Sequence, residues 1–365
     1  WFQLGCFSPI NRLHSSNSGF TSKEPWRYSR DARATMEAHL RLRHRLVPYL
    51  YTWARRSASE GIAPVRPVYH DHPRELAAYE HRGSFYFGDL LVVPFTCRLD
   101  ETTGLGRELT WLPDGVWYDL PTGRRYEATT GGRGRMLSLS RPLDRIGVLA
   151  RAGSVIPLAG NLTEAAGDNP RELEIVVVPG GSGSFTLKED DGSAQPGDDR
   201  IARTHMALTW PEDEDGADVV LRIRLEGAAD VVPASRLVTV RLLAGRVTGA
   251  WLGVGERARR LATEEVSGDG FTLGAGTLVH LEELSRQDLI DGVQLVLRGT
   301  QHSPADWRNE VHAILDAARV EYMAKDLAWD AVQRGLSGTA LLGELEALGL
   351  PETLRAAVAE VLPHS

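Results

Sequence analysis

The feature that most constrains this chain is a change of hydrophobic period near residue 61. Residues 33 to 60 carry Met36, Leu40, Val47, Leu50, Tyr51 and Ala54 on one face at a spacing near 3.6, the signature of one long amphipathic helix. From 62 to 300 no long helical pattern returns. Short apolar runs recur instead, separated by Gly, Pro and Asp: 84–86, 90–95, 115–119, 148–150, 173–178, 185–188 and 205–210. Strands this short and closely punctuated predict β-sandwich architecture. At 219–225, Val219, Leu221, Ile223 and Leu225 alternate with Val220, Arg222 and Arg224, which predicts one buried and one wet face. Strands are also predicted at 237–243 and 294–297.

Within the helix, Asp31 is the expected N-cap, Gly61 the stop and Pro48 the site of a kink. Pro211 to Asp218 reads as an acidic hairpin tip and 160–170 as a linker. From Pro304 the pattern turns helical again. Asp306 is placed as a cap, with Val311, Leu315 and Ala318 on one face and further helices near 326–334, 338–348 and 351–362. The tail is expected to dock on a sandwich or on another subunit.

Composition bounds the partners. At 365 residues, 42% hydrophobic and 25% charged, the chain can bury cores and is not a disordered protein. A net charge of -8 gives no reason to expect nucleic acid. No stretch is long and apolar enough to span a bilayer, and no membrane partner is expected. Two cysteines, Cys6 and Cys97, read as free buried thiols of a cytoplasmic protein. No metal or other cofactor is expected, since no His/Cys cluster has ligand spacing. Glu189-Asp190-Asp191-Gly192 fits a turn better than a calcium loop. His70, Asp71 and His72 lack a partner nucleophile and are assigned no chemistry.

The opening stretch raises a different possibility. WFQLGCF reads as the end of a buried helix, Pro9 stops it, and INRLH alternates as a strand that ends in a histidine and a polar loop. A polar residue at the C-terminal end of a barrel strand faces the active site of a (β/α)8 barrel. QLGCFSPINRLHSS and KEPWRYS resemble the end of the catalytic barrel in glycoside hydrolase family 31. RLRHRLVPYLYTWARRSASEG, RPVYHDHP, FGDLLVVPF, WLPDGVWYDLPTG, ARAGSVIPL and LKEDDGS follow in the same order. The resemblance covers roughly residues 1 to 230, and the order is more specific than any one motif.

It implies a multidomain fold: the last strand and helix of a TIM (β/α)8 barrel over 1–61, a proximal β-sandwich over 62–159, a distal β-sandwich over 170–300, and a short α-helical tail over 304–365. It also implies a retaining, exo-acting α-glycosidase, an α-glucosidase or α-xylosidase, acting on an α-linked oligosaccharide or glycoside. No catalytic residue is assigned, because the family's nucleophile and acid/base aspartates belong to earlier barrel strands, expected upstream of Trp1. The chain alone is therefore expected to be inactive. His14 matches the histidine that hydrogen-bonds hydroxyls of the first sugar; otherwise it is a core histidine. Arg12 points the same way and either holds a catalytic carboxylate or ties strands together. Trp26 either stacks on a sugar or packs its loop onto the first sandwich. The alternative function is a non-catalytic carbohydrate-binding or scaffolding module.

Overall fold

The computed structural model describes residues 1–129, 131–192, 200–211, 218–253, 255, 258–303 and 305–363. Helix α1 (Phe2–Cys6) ends before Pro9, and residues 11–16 have no regular secondary structure. The predicted long helix is two: α2 (Arg30–Arg45) and α3 (Val47–Glu60), joined at Leu46. Pro48 causes the break rather than a kink. It sits in the first turn of α3, where a missing N–H costs no hydrogen bond. The cap of α2 is Ser29, whose hydroxyl accepts from the Ala32 N–H, while Asp31 lies in the first turn. Gly61 ends α3 with φ 71°, as its position predicts.

The buried faces of α2 and α3 carry Met36, Leu42, Leu46, Tyr49 and Trp53, and not the predicted Leu40, Tyr51 and Ala54, which are exposed, because the break at Leu46 ends the single register on which that face was drawn. Phe7 joins them, edge-on to Phe87 at 5.9 Å, and Tyr49 stacks on Phe185 at 5.3 Å. The helices are thus glued to both β domains.

The proximal domain follows. Its strands are β1 (Val65–Pro67), β2 (Phe85–Phe87), β3 (Leu90–Val93), β4 (Gly106–Leu112), β5 (Val116–Asp119), β6 (Arg125–Glu127), β7 (Arg135–Arg141) and β8 (Gly147–Arg151). Short helices α4 (Val68–Asp71) and α5 (Leu76–Glu80) separate β1 from β2. One sheet has the order β1-β2-β3-β8-β5-β6, and β4 pairs with β7 as a separate ribbon. The run LLVV in β3 is buried on both faces. Leu90 and Val92 join the core under the helices, while Leu91 and Val93 join Trp111, Trp117 and Leu139 between sheet and ribbon.

The distal domain begins with β9 (Val155–Ala159), which runs antiparallel to β10 (Glu172–Val177). It continues through β11 (Gly183–Glu189), β12 (Ala202–Thr209), β13 (Val219–Gly227), β14 (Ser235–Leu243), β15 (Gly245–Arg246), β16 (Gly249–Leu252), β17 (Arg259–Val266), β18 (Gly276–Ser285), helix α6 (Arg286–Asp291), β19 (Val293–Arg298) and β20 (Gln301–His302). The main sheet has the order β11-β12-β13-β19-β16-β17-β18-β14-β10-β9. It folds on itself through β17, which pairs with β16 by residues 259–261 and with β18 by 262–266. The alternation in β13 is as predicted, with Val219, Leu221, Ile223 and Leu225 buried. The acidic tip over 212–217 lies outside the described residues.

Two expectations change here. Residues 160–170 are the loop of the β9–β10 hairpin, so β9, placed with the proximal sandwich from its sequence, is an edge of the distal sheet. Cys97 is exposed, unlike Cys6, whose thiol burial pushes up to about 12. Glu189 and Asp190 are engaged in packing. Arg236 forks onto Glu189 (Nη1–Oε2 2.9 Å), Tyr51 donates to Asp190, and Asp190 Oδ1 accepts from the Gly192 N–H at 2.9 Å.

The tail is α7 (Trp307–Ala317), α8 (Tyr322–Gln333), α9 (Gly338–Ala347) and α10 (Glu352–Val361). Asp306 caps α7 through the Arg308 N–H, and Pro304 lies outside the described residues. The helices build their own core from Val311, Leu315, Leu341, Leu345, Leu354 and Val358. They dock on the proximal domain through Glu360. Its carboxylate accepts from Arg141 Nη1 at 2.5 Å, Arg124 Nη1 at 2.9 Å, the Tyr126 hydroxyl at 2.7 Å and the Ser140 N–H at 2.6 Å. Arg141 also donates to buried Asp119 at 3.0 Å. The Arg319 N–H reaches the Thr102 carbonyl at 2.7 Å.

Candidate functional site

The barrel-end segment departs from α1 under tight control. Arg43 donates to the carbonyls of Cys6 (3.1 Å), Ser8 (2.6 Å) and Pro9 (2.8 Å). It fixes the direction in which Ile10 leaves. A basic residue on an amphipathic helix gives no signal of such a role, because the carbonyls it serves are distant in sequence.

Past Pro9 the control ends. The strand expected over INRLH does not form, for a physical reason: an isolated extended segment has nowhere to place its backbone N–H and C=O groups except water. No neighbouring strand lies beside it among the described residues. Arg12 and His14 are exposed, and neither makes a hydrogen bond or ion pair with any described residue. In this chain His14 is not buried, and Arg12 has no carboxylate or strand partner among the described residues. Trp26 follows Pro25 in a short 3-10 turn and is 65% exposed, so it does not pack on the first sandwich. Each of the three stands in solvent rather than in an enclosed site.

Apolar groups accompany them. Ile10 is 81% and Phe20 96% exposed, with Leu13, Tyr28 and Leu40 also open. Phe7 is buried, as the end of a buried helix should be, because α2, α3 and Phe87 cover it. The open surface thus begins at Ile10.

The carboxylates named from sequence lie elsewhere. Asp31 is in the first turn of α2. Asp71 is clamped by Arg66 (Nη2–Oδ2 2.8 Å), and Asp119 accepts from Arg141 and from the Val148 N–H. Asp89, in the turn between β2 and β3, makes no side-chain hydrogen bond with the described residues. Its carboxyl is pushed up by desolvation, against the pull of Arg66 and Arg56 and with the help of Asp71.

Two outer helices seated on paired β domains, with an exposed irregular segment leading into them, define a class: the last part of a barrel together with the β domains that follow it. The profile of the glycosyl hydrolases family 31 TIM-barrel domain matches residues 1–53, and that of the glycosyl hydrolase family 31 C-terminal domain matches residues 61–156. The chain belongs to glycoside hydrolase family 31. It is 32% identical over 219 residues to an alpha-xylosidase of Saccharolobus solfataricus, covering 59% of this chain and 28% of that protein. It is 28% identical over 207 residues to the lysosomal alpha-glucosidase of Bos taurus, covering 53% and 22%. The chain spans about a quarter of the length of these curated relatives. A Flavobacterium johnsoniae dextranase of the same family shares the fold with TM-score 0.63 at 20% identity, covering 82% of this chain and 36% of that one. The alpha-xylosidase of Xanthomonas citri gives TM-score 0.54 at 26% identity, covering 67% and 25%.

Proposed function

We propose that this chain is the C-terminal part of a retaining, exo-acting α-glycosidase, with an α-glucosidase or α-xylosidase activity that requires the rest of the barrel. The observation that carries the reading is the open apolar surface from Ile10 to Tyr28, on the stretch that matches the family's barrel domain. So many exposed large apolar side chains on one short stretch call for a covering partner, and earlier barrel strands would supply both the cover and the missing strand pairing.

A retaining mechanism uses two carboxyl groups about 5–5.5 Å apart. One attacks the anomeric carbon while the other protonates the leaving oxygen. The second then acts as base and activates the water that releases the sugar. In this reading both groups lie on the earlier strands. His14 contributes by presenting one donor and one acceptor to neighbouring sugar hydroxyls. Arg12 is its neighbour on the same strand once pairing forms, and Trp26 stands over the mouth. The helices and β domains brace the barrel from outside.

The test begins with the intact mass of the native polypeptide. A mass well above that of the 365-residue chain, with release of p-nitrophenol from the α-D-glucoside or α-D-xyloside, supports the proposal. The 365-residue chain alone should release none. A native polypeptide of this mass with no hydrolysis overturns it and leaves a binding or scaffolding module in its place.

A further inference from the structure

The negative charge of the chain is unevenly placed. Residues 304–365 hold ten acidic side chains against five basic ones, in a chain of net charge -8. Within the tail, Glu310 and Glu360 are spent on Arg124, while Glu344 and Glu346 pair with Arg334 and Arg355. Asp326 and Asp330, one turn apart on α8, are spent on nothing: neither side chain makes a hydrogen bond or ion pair with any described residue. Lys325 pairs with neither, since its Nζ donates to the Asp316 carbonyl at 2.8 Å. Tyr322, Met323 and Leu327 share the face of the two aspartates. Tyr322 is 82% and Met323 75% exposed. The opposite face of α8, with Ala328, Ala331 and Val332, already fills the tail's core. The outer face of such a helix is expected to be polar, and this one is apolar and acidic.

The distal sheet carries the converse surface. On β13 the core takes Leu221 and Ile223, so Arg222 and Arg224 point outward. Neighbouring strands extend the row: Val220 lies opposite Val296, Val296 opposite Trp251, and Trp251 opposite Arg260. The Trp251 ring has the Arg298 guanidinium at 4.5 Å and that of Arg260 at 5.9 Å. Glu226 and Asp218 meet Arg224 and Arg298 at 3.6 and 3.4 Å. Exposed Arg222 and Arg260, and Arg203 on β12, make no ion pair with any described residue. The acidic run 212–215 falls between β12 and β13 in sequence, so it is joined to the end of that hairpin farthest from Arg203 and Arg224.

The two faces agree in spacing. Asp326 and Asp330 are about 6 Å apart along a helix axis, and Arg222 and Arg224 about 7 Å apart along a strand. Ahead of each charged pair stand apolar groups, Tyr322 and Met323 on the helix and Val220 on the strand, with Trp251 beyond it. A helix laid along β13 therefore sets acids on arginines and apolar groups on apolar groups at once. Helix on sheet is an ordinary packed layer, and opposite charges around an apolar contact fix its direction. Within one copy both faces are exposed.

We propose that the chain self-associates, with α8 of one copy docked on the outer face of the distal sheet of a second copy. The contact is independent of the hydrolytic reading. The experiment is sedimentation velocity of the 365-residue chain over a range of concentrations, repeated at raised salt. The expected result is association that weakens with salt, as contacts between exposed charges do. Two double variants reverse one face each: Asp326→Arg with Asp330→Arg, and Arg222→Glu with Arg224→Glu. Each should raise the dissociation constant about tenfold or more, because like charges then face each other. All four side chains are exposed, so both variants should keep the parent's Tm. An equimolar mixture of the two should associate again, since the reversed helix meets the reversed sheet; a misfolded variant would not be rescued in this way. A parent that stays monomeric, association equal in parent and variants, or a mixture that stays monomeric overturns the proposal. Association unchanged by both reversals would instead run through the open stretch from Ile10 to Tyr28. A failed hydrolysis assay leaves this result untouched, and the reverse holds equally.

Discussion

The two ends of the chain make opposite bargains with the body. The C-terminal tail has an apolar core of its own and fastens to the proximal domain through a buried carboxylate, Glu360, that meets four donors. The segment from Ile10 to Tyr28 is longer than a strand and carries Phe20 and Trp26, yet its large apolar side chains stand in solvent and its polar ones bond only locally. The difference lies in supply of partners rather than in hydrophobicity. Helices satisfy their own backbone and need only cover for one face. A strand needs another strand first.

The sharpest way to break this comparison is to remove the latch. Glu360→Ala removes the carboxylate shared by four donors and leaves Arg141 with Asp119 and Arg124 with Glu310 as their remaining partners, and should cost about 3 kcal/mol by chemical denaturation. It should also open the tail to limited proteolysis. Next in size, Phe7→Ala removes the anchor that separates buried α1 from the open segment, at about 3 kcal/mol. A smaller loss, or none, would mean that α1 is as weakly attached as the residues after Pro9.

Acid offers a graded version of the first test. Burial alone would raise the Glu360 carboxyl, but Arg141 and Arg124 outweigh it and hold it below its ordinary 4.5. A depressed carboxyl stabilises the fold above its unfolded value, and that contribution fades as pH falls through the folded value. Tm of the parent should therefore decline with acidification below about pH 4.5 more steeply than Tm of Glu360→Gln. Parallel declines would deny the latch its role. The smallest effect is expected from His14→Ala, which should leave Tm of the 365-residue chain within about 2 °C of the parent. Amide exchange should then rank the ends directly, fast at 11–24 and slow in α10.

Local periodicity made much of the fold legible. The alternation of β13 and the stop at Gly61 follow from patterns a few residues long, whereas the face of α3 was misassigned, since Tyr51 and Ala54 are exposed and Tyr49, Thr52 and Trp53 are buried. Ser29 was missed as a cap because Asp31 offers the same chemistry two positions later. The division between β domains was misplaced because 160–170 has linker composition, while strand pairing, which decides the matter, leaves no local mark. For the latch a signal did exist: Glu360 interrupts the apolar stripe of Leu354, Ala357, Val358 and Val361. His14, Arg12 and Trp26 were found by resemblance, and their surroundings depend on strands that no pattern within 1–28 describes.

The placement of β9 has a practical edge. Residues 160–170 look like the natural seam for cutting the chain or grafting another module. A cut there would sever a hairpin between its strands, leaving β10 with a bare row of amides and β9 on a separate piece. Such raw edges recruit other strands, and the product would be sticky before it was useful. The seam that respects the sheets runs through 152–154, ahead of β9. A library of exchanged β domains cut at that point should yield soluble chimeras, and one cut ten residues later should yield aggregates.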